Sequence, residues 1–93
     1  MTIRTQKFLK VYHKVRAMAL ANIDFGREMR QPAAREDGKT LLRVSAHLWR
    51  GNDRAAVNAW ESLDGYVLDH APAYVCNYLN DLRYKVWEER NSR

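Results

Sequence analysis

Three histidines, one cysteine and a scatter of carboxylates are the side chains that could do chemistry in this 93-residue chain. His13, His47 and His70 lie far apart with no His-x-x-x-His pair, and Cys76 has no second cysteine with which to share a zinc ion. His70 and Cys76 flank Pro72, so a Cys–His nucleophile pair is conceivable there. A packed cysteine beside an ordinary histidine is the simpler reading. Asp64 and Asp69, placed on one helix, diverge rather than share a proton. The glycines stand singly at 26, 38, 51 and 65, which gives no glycine-rich phosphate loop. No serine has the context of a nucleophile elbow. These patterns point away from catalysis and call for no metal and no cofactor.

The basic residues carry more information. Lys7, Lys10 and Lys14 follow one another at i, i+3 and i+7, and Lys39, Arg43 and Arg50 make a second helical row. Rows of this kind are often only solvated helix faces. Both lie in the first half of the chain, where a joint patch could neutralise several phosphates or carboxylates without reading a sequence. The net charge of +5 is uneven: residues 1–50 carry +7 and residues 51–93 carry −2. That asymmetry suggests an anionic partner: a larger protein or nucleoprotein complex with an acidic face, or nucleic acid itself. Tyr84, half a turn away from the Val75–Val86 stripe and beside Arg83 and Lys85, is the one aromatic expected outside the core. It could anchor a protein contact or stack on an unpaired base. The expected binding residues are therefore Lys7, Lys10, Lys14, Lys39, Arg43, Arg50 and Tyr84.

Helical spacing must position these groups. Phe8, Val11, Tyr12, Val15, Met18, Ala19, Leu20 and Ile23 fall on one broad face and predict a helix near 5–24, capped by Thr5 or Thr2. Residues 31–38, with Asp37-Gly38 as a turn signal, read as a loop. Residues 39–50 fit a helix better than a strand, because the chain offers a strand no good partner. An α+β fold with 39–49 as a strand is the alternative. Gly51-Asn52 is a break. Beyond it Ala56, Ala59, Trp60, Leu63 and Val67 predict a helix over 53–70 that runs through Gly65. Pro72 then separates it from a last helix near 73–89, with Val75, Tyr78, Leu79, Leu82 and Val86 on one stripe. Trp60, Leu63, Leu79 and Leu82 are expected in the core.

The segment Ala46–Trp60 resembles the inside of one tetratricopeptide unit, with Gly51, Ala56 and Trp60 at its small, small and aromatic positions. The resemblance covers one helical hairpin and no second copy follows, so it implies only that two helices meet at Gly51-Asn52. A DNA-reading helix-turn-helix fits poorly. His47, Arg50 and Asn52 occupy places that want small or apolar residues, and the second helix exposes Arg54, Asn58 and Glu61.

With 46% apolar and 29% charged residues the chain has globular proportions and the length of a single domain. The expectation is an all-α fold, a small four-helix bundle or two packed hairpins. The core is small for such a chain, and self-association as a homodimer would help it. No apolar run suits a membrane helix. A lone cysteine and no apolar leader suit the cytoplasm. The expected function is a non-enzymatic binding protein that docks on a larger complex and modulates or inhibits it. Small cofactor-free chains of that kind are common among bacterial accessory proteins and phage-encoded inhibitors, anti-CRISPR proteins included. The alternative is sequence-tolerant nucleic-acid binding by the basic half.

Overall fold

The computed structural model describes residues 4–91, and all of its regular structure is helical: α1 (Gln6–Glu28), α2 (Pro32–Arg50), α3 (Asp53–Glu61), α4 (Gly65–His70) and α5 (Ala73–Asn91). The all-α expectation holds, and 39–49 is helix, not strand. Thr5 caps α1, its Oγ1 accepting from the Phe8 backbone N–H at 3.0 Å. The other cap considered, Thr2, lies outside the described residues, as do Ser92 and Arg93 beyond α5.

Residues 32–38 are not a loop. They form the first two turns of α2, which starts with Pro32 in its first turn, where a missing N–H costs nothing. The connection to α1 shrinks to a tight turn. Gln31 N–H donates to the Gly26 carbonyl at 2.9 Å, a Schellman-type closure, with Arg30 in the left-handed region at φ 52° where glycine is usual. Asp37-Gly38 is a turn signal only where glycine is needed for its backbone freedom. Here Gly38 is a buried helical residue, needed for its missing side chain. A Cβ on it would lie 2.6 Å from Ile23 Cγ1 and 2.7 Å from the Ala19 carbonyl oxygen. Gly26 answers from α1: a Cβ there would lie 2.6 Å from the Arg35 backbone nitrogen. The antiparallel α1 and α2 therefore approach nearly backbone to backbone at this end.

The helix expected over 53–70 is two helices. Ser62 turns its hydroxyl to the Ala59 carbonyl at 2.7 Å, and Asp64, in an extended conformation, accepts from the Tyr66 N–H at 2.9 Å. Side-chain oxygens thus satisfy the backbone in place of the helical ladder. Leu63 and Val67, on either side of the bend, both face inward. At the α2–α3 junction, Gly51 in the left-handed region and the Asn52 cap make the turn that the tetratricopeptide-like segment implies.

The core is one cluster. Val11, Val15 and Ala19 of α1 meet Leu41, Val44 and Leu48 of α2. Ala56, Trp60, Leu63 and Val67 close over them, and Val75 and Leu79 of α5 complete it. Leu82 packs against this cluster but is only partly buried, and Leu20, placed on the inner face by its apolar character, is 48% exposed. Leu20 is half a turn out of phase with Val11, so the helix carries it outward.

Gly38→Ala should lower stability by about 1–3 kcal/mol, because backbone atoms of α1 cannot move aside as a side chain would. Gly65→Ala, whose Cβ would meet nothing within 4 Å, should leave the melting temperature unchanged or higher. Thermal melts followed by circular dichroism check both.

Candidate functional site

The α1 row is fully presented. Lys7, Lys10 and Lys14 are all exposed, and α1 carries no acidic residue before Asp24. None of the three makes an ion pair within the described residues. The Lys10 ammonium instead lies 4.4 Å from the centre of the Tyr74 ring, over the first turn of α5. This contact keeps the charge while resting the ammonium on an aromatic face. The row thus flanks the buried Val11–Val15 stripe on the side where α5 packs.

The second row sits elsewhere. Lys39, Arg43 and Arg50 are exposed on the side of α2 roughly opposite Leu41 and Leu48. Lys39 is partly neutralised by Glu36 at 3.2 Å, an exposed i, i+3 pair. Arg43 and Arg50 make no ion pair within the described residues. No hydrogen bond or ion pair among the described residues joins this row to the lysines of α1. The hairpin presents two basic faces, one along α5 and one away from the core.

Tyr84 stands on a third surface. It is 64% exposed, as its phase on α5 suggested, and its ring centre lies 5.9 Å from that of Trp87, itself 58% exposed. Both line an open groove of about 700 Å³ between α5 and α3, with Val57 and Val86 in its floor. Arg83 reaches across to Glu61 at 2.9 Å and Lys85 to Asp53 at 3.4 Å, so α5 is latched to both ends of α3. The exposure of Trp87 escapes a reading in which aromatics fill stripes. Its phase beside Tyr84 was the available signal.

The free ends of the hairpin carry a cluster that spacing alone does not reveal. Phe8 stacks near Tyr12 at 6.3 Å, Tyr12 meets Trp49 at 4.9 Å, and Phe8 meets Tyr78 of α5 at 6.3 Å. Arg4 lies 4.0 Å over the Trp49 ring and donates to the Trp49 carbonyl, tying the start of the described chain to the end of α2. The Tyr78 phenol is held off its ordinary titration. Burial, reinforced by the Asp53 carboxylate and opposed by Lys85, raises its phenol above 10.0.

The pair considered for nucleophilic chemistry is not in contact. The His70 ring stacks on Tyr66 at 4.1 Å, with Nδ1 2.8 Å from the Tyr66 carbonyl oxygen. The Cys76 thiol faces the carbonyls of Leu68 and Ala71 at 3.7 and 3.9 Å. No group of three or more His, Cys, Asp or Glu side chains among the described residues could hold a metal ion. No helix among them is long and apolar enough to cross a membrane. No family model matches the chain, and no curated protein or solved structure matches it at a significant level of similarity.

Because the raised Tyr78 phenol stays protonated longer in the folded chain than in the unfolded one, its contribution to stability is complete below about pH 10 and falls as pH rises through the folded value. Chemical denaturation of the parent and of Tyr78→Phe across pH 9–11.5 checks this. The parent should lose stability with pH more steeply than the variant.

Proposed function

We propose that this chain is a non-enzymatic binding protein that docks through the lysine face of α1 onto an acidic face of a larger protein or nucleoprotein complex and modulates it. The observation that carries this reading is the run of α1 without acids. Its three lysines are exposed and without carboxylate partners among the described residues, and one ammonium lies over the Tyr74 ring. An ammonium resting on a ring is already partly ordered. A docking face gains from one, because less side-chain freedom is lost on binding. The α2 face, with Lys39 already paired to Glu36, is the secondary contact. Exposed charges of this kind act mainly on association rate and orientation.

Reversing Lys7, Lys10 and Lys14 to Glu should leave the fold intact, since all three are exposed and what is lost is the surface contact of Lys10 with the Tyr74 ring. It should weaken capture of the partner by about 0.5–1 kcal/mol per contact. A quantified pull-down with the parent and the triple variant, with and without nuclease, reads this directly. Equal capture by both would refute the lysine face. Capture abolished by nuclease would make nucleic acid itself the partner and replace the acidic-protein reading. Arg43→Glu with Arg50→Glu should have a smaller effect than the α1 triple.

A further inference from the structure

We infer that the chain pairs with a second copy of itself through the exposed face of α5, the two α5 helices running parallel. This goes beyond the docking face of α1 and does not depend on it.

The helix has two faces with two periodicities. One buries Val75 and Leu79 and half-buries Leu82 and Val86 against α1 and α3. On the other, Asn77, Asn80, Tyr84, Trp87 and Asn91 recur at spacings of three, four, three and four, and every one is exposed. That is the a/d pattern of a two-stranded seam, here with two large aromatics at its centre and asparagines above and below. A helix with apolar groups on both sides is one packed between two neighbours. Among the described residues, the second side borders the open groove beside α3.

The charges beside the seam identify the neighbour. In this register Asp81 and Glu88 hold the e positions, and Arg83 and Arg90 hold the g positions. One flank is acidic and the other basic. In a parallel pair each g residue faces the e residue of the next heptad in the partner, so Arg83 of each copy meets Glu88 of the other, twice by symmetry. In an antiparallel pair the like flanks would meet, carboxylate on carboxylate and guanidinium on guanidinium, which selects against that arrangement. Asp81, Glu88 and Arg90 make no ion pair among the described residues. Arg83 uses its Nε for Glu61 at 2.9 Å, and the terminal nitrogens of its guanidinium remain as donors to a second carboxylate. The three seam asparagines give up apolar area but penalise slipped registers, where their amides would face rings.

Sedimentation of the full chain from about 10 µM to 1 mM tests the pairing, a range chosen for the modest affinity that two aromatics per copy can support. A dimer is expected. Trp87→Ala and Glu88→Arg should each raise its dissociation constant by about tenfold or more, whereas Arg27→Glu, a charge reversal in the exposed last turn of α1, should not change it. In a Cys76→Ala background, Asn80→Cys should form a disulfide-linked dimer on mild oxidation, because parallel helices place the same seam residue of both copies side by side. A monomer across the whole range, a dimer indifferent to both Trp87→Ala and Glu88→Arg, or a dimer whose position-80 cysteines fail to join would each overturn the proposal.

Discussion

The close approach of α1 and α2 at Gly26 and Gly38 is the contact on which the rest of this small fold depends. Two helices without side chains at their crossing come within reach of each other's backbone, and the gaps left by the missing Cβ atoms are filled by Ile23, Ala19 and Arg35. Dispersion between such closely packed atoms is small per pair and large in sum. Because the turn between the helices is tight, the approach at this end also aligns the apolar stripes further along. Val11, Val15 and Ala19 are brought opposite Leu41, Val44 and Leu48. The far end is then held by the Arg4–Trp49–Tyr12–Phe8 cluster.

This hairpin acts as a frame, and its surfaces follow from it. The α1 lysines border α5 because α5 covers the open flank of α1, and the α2 cations face outward because α2 turns its apolar side to α1 and α3. The shorter α3 and α4 seal the core but leave one side of the second half of α5 open. Ion pairs from Asp53 and Glu61 hold that half in place without covering it. Exposed pairs of this type add little stability and chiefly fix orientation. A helix fixed but uncovered, with Tyr84 and Trp87 in the open, presents a defined surface and not a frayed tail.

Much of the architecture was legible in the residues, for physical reasons. The stripes of α1 and α5 have a clean helical period, the want of a strand partner decided 39–50 where the period alone did not, and the caps at Thr5 and Asn52 are chemically specific. Gly51 sits where a helix must turn left-handed. Two features were not legible. The start of α2 reads as a loop because Pro, Asp and Gly punctuate loops. Nothing local distinguishes a glycine chosen for backbone freedom from one chosen so that another helix can come near. The break at Ser62–Asp64 was hidden because apolar residues on both sides keep helical spacing across it. For the surfaces, the phase of Tyr84 gave its exposure. The separation of the two basic rows depends on which way α1 and α2 face each other, and a pattern read along each helix cannot supply that.

Native-state amide hydrogen exchange tests the hairpin most directly, because it asks whether the start of α2 belongs to the same cooperative unit as the core. If the glycine contact organises the fold, the amides of Arg35 through Thr40 should exchange nearly as slowly as those of Leu41, Val44 and Leu48, and open only with them. Exchange of 35–40 at the rate of an unstructured chain, while 41–48 remain protected, would contradict the account and return that segment to a loop.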